Sequence, residues 1–202
     1  MPFVVQKRPY PYSGPSSMTK RLRRVENQTM RNRSEMHHVT WQVVGSVPAL
    51  NTGPSPDIKG FVNKPLTSIS NGDTITARSG QKVRVWRVEV RGSADSNLDH
   101  YIIQNQGATP PVETDFTDGQ GSYLTDEHTN TRFTEWKHYK NPCATTASDP
   151  LKFTVKFKKG IIVKFDGTNS PAVDNGLNYS VVNASDTTRN VDVNIRVWFT
   201  HE

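Results

Sequence analysis

The stretch that decides the fold is Val191-Asp192-Val193-Asn194-Ile195-Arg196-Val197-Trp198-Phe199-Thr200. Apolar residues occupy its odd positions and mainly polar residues its even positions, which is the period of a half-buried β-strand. Phe153, Val155 and Phe157 alternate with polar residues in the same way. The sequence therefore predicts strands that turn one face to a core and the other face away from it.

The rest of the chain after His37 also has a sequence pattern that is typical of β-strands. Short β-branched and aromatic runs are separated by clusters of Gly, Pro, Asn, Asp and Ser, which is typical of an all-β sandwich or barrel. The connections 47–80 and 107–130 exceed the usual loop length, so we expect them to be functional or to contact other chains. The eight predicted strands span 37–46, 81–93, 98–106, 131–140, 151–158, 160–166, 176–184 and 190–200.

One predicted strand changes phase along its length. Val83 and Val85 are at odd positions, whereas Val88 and Val90 are at even positions. A straight strand would turn half of these valines away from the core. We therefore predict a β-bulge at Trp86-Arg87, because one inserted residue restores the phase.

A tight turn is expected between the strands at 151–158 and 160–166. The residues between them are Lys159-Gly160, and Gly can adopt the positive φ that tight turns require. The sequence therefore predicts that the chain reverses direction at this point.

The positive charge of the chain is concentrated before residue 35. The 34 N-terminal residues contain eight bases and one acid, Glu26, a net charge of +7. The chain has 25 bases and 19 acids, so residues 35–202 contain 25 − 8 = 17 bases and 19 − 1 = 18 acids, a net charge of −1. We predict a basic arm (residues 1–34) and one folded domain (35–202). The bases of the arm are Lys7, Arg8, Lys20, Arg21, Arg23, Arg24, Arg31 and Arg33.

The composition of the basic arm predicts disorder in the free chain and binding to nucleic acid. Pro, Ser, Gly and Arg cannot bury enough apolar surface to offset chain entropy. Arg and Lys at this density neutralise phosphates without reading base sequence. Lys20, Arg21, Arg23 and Arg24 also form a candidate nuclear-import signal, which implies a host import receptor. The alternative is a tail that only increases solubility.

Trp198 is a candidate for contact with another subunit. The alternation of the last strand places its large ring opposite the core face, and an apolar ring outside a sheet suggests a partner. Shielding by a loop of the same chain is the alternative.

The sequence contains no signature of a common catalytic site, and we expect no enzyme and no cofactor. It lacks G-x-S-x-G, H-E-x-x-H, a Gly-rich phosphate loop and a Cys pair for zinc. Cys143 lies near His138 and Asp149, but catalytic dyads are normally assembled from separate elements. A single cysteine excludes an intrachain disulfide and indicates a reducing compartment; the alternative, which we favour, is an incidental buried thiol.

Metal binding is also not expected. Adjacent strand residues point to opposite faces, so His37-His38 cannot bind one metal together. Four carboxylates could supply oxygen ligands to Ca²⁺, although their spacing fits no loop motif and solvation explains them equally well. They are Asp115, Asp118, Asp126 and Glu127. Neither a signal peptide nor an 18-residue apolar segment is evident, so we expect no membrane association.

Several segments of the domain follow, in order, a pattern found in a known family of proteins. They are NGD at 71–73, ARSGQKVRV at 77–85, VEVRG at 88–92, HYII at 100–103, GATPPV at 107–112, RFT at 132–134, NPC at 141–143 and VNIRVWFT at 193–200. Together with the basic arm and the eight predicted strands, these segments resemble the single jelly-roll capsid proteins of satellite tobacco necrosis virus type and of circular Rep-encoding single-stranded DNA viruses. The final strand resembles the DNA-virus group, although His201-Glu202 departs slightly from it.

This resemblance implies an eight-stranded antiparallel jelly roll and a T=1 shell of about 60 identical subunits, with the arms inside on single-stranded nucleic acid. DNA is preferred to RNA because of the import signal and the last strand. The expected locations are the virion and, for a DNA genome, the host nucleus during assembly. The alternative is a non-capsid β-sandwich that binds nucleic acid with its tail, such as a movement or silencing factor.

Overall fold

The computed structural model describes residues 36–49, 60–72, 77–112, 115–116, 132–141, 148–166, 172–183 and 185–202. The basic arm and Cys143 lie outside these ranges. Within them, no helix is long and apolar enough to cross a membrane.

The described residues form nine β-strands. Their order along the chain is β1 (His37–Val47), β2 (Gly60–Pro65), β3 (Lys82–Ala94), β4 (Leu98–Asn105), β5 (Phe133–Lys140), β6 (Asp149–Phe165), β7 (Ala172–Asp174), β8 (Leu177–Asn183) and β9 (Arg189–His201). They build a five-stranded sheet in the order β1-β9-β3-β6-β7 and a four-stranded sheet in the order β2-β8-β4-β5. All paired strands are antiparallel.

The strand order is that of a jelly roll. If the three-residue β7 is set aside, the first strand pairs with the last, the second with the seventh, the third with the sixth and the fourth with the fifth. These nested pairs describe one long hairpin, which the pairings of β3 with β9 and β4 with β8 roll into two sheets. An eight-stranded double sheet of this kind is the jelly-roll architecture. The predicted fold class is therefore confirmed.

The main core lies between the two sheets and is built by the alternation seen in the sequence. In β9, Val191, Val193, Ile195, Val197 and Phe199 are all buried, whereas Asp192, Asn194 and Arg196 are exposed. The odd positions of β6 in 151–157 and 161–165 are buried in the same way. Burial of such side chains stabilises the fold by about 1.5–3 kcal/mol each.

The β-bulge predicted in β3 is present. Against β9, Val85 lies opposite Phe199 and Arg87 lies opposite Trp198, so Trp86 is the inserted residue. The bulge returns the valines on both sides of it to the core face, where they are fully buried. It also turns Arg87 to the outside of the sheet.

The turn predicted at Lys159-Gly160 is wrong, because residues 149–165 form the single strand β6. Gly160 does have a positive φ, of 68°, but it lies at an irregularity where the register with β3 shifts. Residues 151–157 and 161–165 bury their odd positions alike. A two-residue turn would have placed these two odd-numbered sets on opposite faces.

Two short strands, β2 and β7, were not predicted from the sequence. The connection 47–80 contains β2, an edge strand paired with β8, and β7 pairs with the end of β6. One predicted pair of strands, 151–158 and 160–166, is therefore a single strand, and two strands were absent from the prediction. The eight strands of the jelly roll remain because β2 replaces the extra strand.

The two sheets differ in what covers their outer faces. A second apolar cluster lies on the far side of the four-stranded sheet, where Phe116 from the β4–β5 connection packs near Tyr101 and Phe61. As a result β8 is buried at every position and β4 at all but one. In the five-stranded sheet, by contrast, the outward positions of β1, β3, β6 and β9 include exposed residues.

Candidate nucleic-acid interface

The outer face of the five-stranded sheet, called here the open face, is strongly basic. The outward positions of β3, β6 and β9 hold nine bases against two acids, Glu89 and Asp192, a net charge of +7. Residues 35–202 as a whole have a net charge of −1, so the fold separates charges that are mixed along the sequence. The nine bases are Lys82, Arg84, Arg87, Arg91, Lys152, Lys156, Lys158, Lys164 and Arg196.

Three of these nine bases are neutralised by neighbours. Arg84 pairs with Glu202, Arg91 with Glu89 and Lys164 with Asp174. Arg91 beside Glu89 holds the pKa of that carboxyl below its usual range. The remaining six bases form no ion pair within the described part of the chain.

One row of side chains crosses the open face from β1 to β6. The register places His38 opposite Trp198, Trp198 opposite Arg87, and Arg87 opposite Lys156. The guanidinium carbon of Arg87 lies 4.3 Å from the centre of the Trp198 ring. The centre of the His38 ring lies 5.0 Å from the centre of the same Trp198 ring. The row therefore joins an aromatic ring to two cations.

The predicted outward position of Trp198 is confirmed. Its side chain is half-buried, because Arg87 and His38 lie on the ring, and no described loop is needed to shield it. Trp86 is also half-buried outside the core, and its Nε1 donates a hydrogen bond to Thr200 Oγ1 at 3.0 Å. The contact of Trp198 with a second subunit stays a prediction.

The arm residues predicted to bind nucleic acid lie outside the described residues. They are Lys7, Arg8, Lys20, Arg21, Arg23, Arg24, Arg31 and Arg33, and the import signal falls among them. Their role also stays a prediction. Met36, the first described residue, is 55% exposed and lines a cleft with Trp86, Arg87, Lys156 and Trp198.

The four-stranded sheet contains buried polar residues that the sequence did not reveal. Asp99 is 1% exposed, and its Oδ1 lies 3.0 Å from His138 Nε2. The neighbouring His100 is fully buried and its Nδ1 lies 2.7 Å from the Tyr179 hydroxyl. Burial lowers the pKa of His100 to about 4 and raises the pKa of Tyr179. The Asp99–His138 contact means that His138 has a partner other than Cys143.

The candidate metal ligands are not brought together among the described residues. Asp115 is buried, accepts a hydrogen bond from the Val112 backbone N–H and pairs with Arg132 at 2.9 Å. Asp118, Asp126 and Glu127 lie outside the described ranges. His37 and His38 lie opposite Phe199 and Trp198, on opposite faces of the sheet, as predicted. Within the described ranges, no group of three His, Cys, Asp or Glu residues could hold a metal ion.

Arg78, in the segment that carries the family resemblance, has a structural position that the sequence did not reveal. It is fully buried, its Nε donates to the Ile69 carbonyl at 3.0 Å, and its Nη1 donates to the Gly80 carbonyl. The guanidinium also lies over the Phe165 ring at 4.1 Å. Arg78 thus fastens the segment before β3 to the core.

The strand order and the single open face define the chain as a jelly-roll sandwich with a basic outer surface. No family model and no curated protein matches the sequence. Among solved structures, the chain is similar to the BFDV capsid protein in a decameric and a 60-mer form. Both comparisons have a TM-score of 0.37 and 10% identity over 83% of this chain, and they cover 98% and 93% of the other chain.

A similar likeness is found to the structure of infectious bursal disease virus, Gx strain. The TM-score is 0.31 and the identity 12%, over 83% of this chain and 32% of that chain. The assignment of the jelly roll rests on the strand order of this chain.

Proposed function

We propose that this chain is a viral capsid protein that self-assembles into a small T=1 icosahedral shell. The shell packages single-stranded nucleic acid, DNA in preference to RNA, through the basic arm. One observation carries the proposal: a jelly-roll domain of net charge −1 follows a 34-residue arm of net charge +7. Jelly rolls also occur in lectin domains and cupins, and the arm is the feature that favours a partner rich in phosphate.

The arm of one chain would bind nucleic acid weakly, whereas the arms of an assembled shell would bind it strongly. If about 60 copies assemble, as the family resemblance implies, the arms bring about 420 positive charges together, each able to neutralise about one phosphate. Binding by many linked copies exceeds the affinity of any one copy without new contacts. These charges would neutralise a substantial part of a genome of the order of a thousand nucleotides.

The preference for DNA rests on two features of the sequence. Lys20, Arg21, Arg23 and Arg24 form an import signal, which a protein needs if its shell assembles in the host nucleus around DNA. The alternating end of the chain, 193–200, resembles the final strand of the DNA-virus group. The mature location would then be the virion.

Reassembly in a mixture of nucleic acids tests the proposal. The full chain is dissociated in high salt and dialysed to low salt with equal amounts of single-stranded DNA and RNA of the same length and sequence. Electron micrographs should show uniform closed particles, and nuclease digestion of the extracted contents should identify mainly DNA. Particles that contain mainly RNA would overturn the preference for DNA. An absence of particles would favour a non-capsid nucleic-acid-binding protein.

A further inference from the structure

We propose that the open face and the adjoining residues of β4 and β5 bind single-stranded nucleic acid directly, at two neighbouring clefts that share Lys156. The inference rests on the proposed function and adds a second contact to the one made by the arm. Phosphates would lie against Arg87, Lys156 and Lys158, and bases would stack on the planar groups beside them.

The first cleft has a volume of about 340 Å³ and is lined by Met36, Trp86, Arg87, Lys156 and Trp198. Two indole rings and two cations therefore surround one space. Proteins that bind single strands without base preference combine aromatic stacking with a positive groove.

Arg87 is the central group of the first cleft. Its side chain is half-buried on the Trp198 ring and forms neither an ion pair nor a hydrogen bond within the described residues. A guanidinium has five N–H donors, which match phosphate oxygens, and its plane can also stack on a base. The Trp198 ring holds this plane in place before any ligand binds, which reduces the entropy lost on binding.

The second cleft lies beside the first and has a volume of about 660 Å³. Lys156 lines both clefts, and Lys158 and Lys159 line the second. Trp136 of β5 also lines it. This residue is 41% exposed, its Nε1 donates a hydrogen bond to Gln104 Oε1 at 2.8 Å, and its ring packs edge-on against Phe157 at 4.9 Å. The irregularity of β6 at Gly160 brings these residues to one place. Together the clefts form a track, defined by Lys156, Lys158 and Lys159, with at least one indole ring in each cleft.

The chemistry of this track favours a flexible single strand. A duplex hides its bases from stacking, whereas a single strand can present them to Trp136 and to the first cleft. An acidic surface of another protein would satisfy the cations but would not use the exposed parts of the indole rings as stacking surfaces. We therefore assign the track to nucleic acid and treat a subunit contact as the competing outcome.

Photo-crosslinking of the full chain tests the assignment. A short deoxythymidine oligonucleotide containing 5-bromodeoxyuridine is irradiated with the protein under conditions that keep the chain unassembled, and the crosslinked peptides are mapped by mass spectrometry. Crosslinks in the peptides that contain Trp86, Trp136 or Trp198 are expected in addition to those in the arm. Crosslinks confined to residues 1–34 would overturn the assignment and leave the proposed function intact.

Salt dependence gives an independent measurement. For single strands, each lost phosphate contact reduces the slope of log K against log salt by about 0.7, so Arg87→Ala/Lys156→Ala should make it shallower by about 1.4. The matched control is Lys137→Ala/Lys140→Ala, which removes two exposed cations from β5 and should leave the slope unchanged. Thermal unfolding checks that both variants fold.

Three results would count against the inference or against the proposed function. Equal slopes in the Arg87/Lys156 variant and the wild type would overturn the inference. In a second result, the Arg87/Lys156 variant would bind the oligonucleotide as well as the wild type when unassembled, yet fail to assemble in the absence of nucleic acid. That result would also overturn the inference and would assign the face to a subunit interface. Failure of the wild-type full chain to bind any oligonucleotide would instead overturn the proposed function.

Discussion

Arg87 lies directly opposite Trp198 on the neighbouring strand, with its guanidinium carbon 4.3 Å from the ring centre. The β-bulge at Trp86 produces this arrangement, because in a straight strand Arg87 would share the core face of Val85. One inserted residue therefore keeps four valines in the core and gives the outside of the sheet a cation stacked on an aromatic ring. Fold and proposed site depend on the same irregularity.

Trp198→Ser should weaken binding of a deoxythymidine oligonucleotide by about fivefold or more, because Arg87 loses the ring that orients it and a base loses a stacking surface. The free energy of unfolding should fall by only about 1 kcal/mol, because Trp198 is half-buried outside the core. Fluorescence anisotropy and urea titration measure the two quantities. If Trp198 is instead a subunit contact, the variant will bind the oligonucleotide normally and fail to assemble.

Arg78→Lys should lower the free energy of unfolding by about 2 kcal/mol or more. The buried guanidinium donates to the Ile69 and Gly80 carbonyls, and a lysine cannot reproduce that fork of donors. Urea unfolding of the unassembled chain measures the change, and Arg91→Lys, an exposed position in β3, is the control. Equal stability of the two variants would show that Arg78 does not fasten the segment before β3.

Acid should destabilise the domain partly through His100. Burial lowers the pKa of this group to about 4 in the folded chain, whereas in the unfolded chain it is near 6.5. Between these values the unfolded state binds more protons, so stability is lost as pH falls from about 6.5 to about 4. The loss from this group should reach about 3 kcal/mol.

Comparison with His100→Gln isolates this contribution. The variant has no titrating group at position 100, so its free energy of unfolding should fall by about 3 kcal/mol less than that of the wild type between pH 7 and pH 4. Urea titrations at several pH values measure the difference. Parallel curves for the two proteins would show that His100 is not the neutral, buried group described here.

Deletion of residues 1–34 should leave the jelly roll folded and abolish packaging, because the arm holds the whole net positive charge of the chain. Circular dichroism measures the fold, and the absorbance ratio at 260 and 280 nm measures nucleic acid in particles. A variant with Gln at Lys20, Arg21, Arg23 and Arg24 keeps the length of the arm and should lose part of the packaging. An unfolded deletion protein would contradict the division at residue 34.

The sequence predicted the elements whose periodicity is long and regular. The alternation of β9 and the change of phase in β3 identified a core face, a bulge and the outward Trp198, and all three are confirmed. The error in β6 came from the local preference of Lys159-Gly160 for a turn. Phe157 and Ile161 both continue the apolar pattern at odd positions. This already indicated one continuous strand, because a two-residue turn would have moved the core positions of the second strand to even numbers.

Other features depend on contacts that a single sequence does not display. The short edge strand β2 has little periodicity of its own and is defined by its pairing with β8. The buried contact between Asp99 and His138 joins neighbouring strands through a register that the sequence left open. The open face is basic only after β3, β6 and β9 are placed side by side, since residues 35–202 are close to neutral in sum.

The mass of the assembled protein tests the central claim most directly. Sedimentation of the full chain at low salt with single-stranded DNA should show one species whose protein mass is about 1.4 MDa, which corresponds to about 60 copies of the 22.7 kDa chain in a closed symmetric shell. A chain that binds the DNA but remains a monomer or a small oligomer would contradict the capsid function.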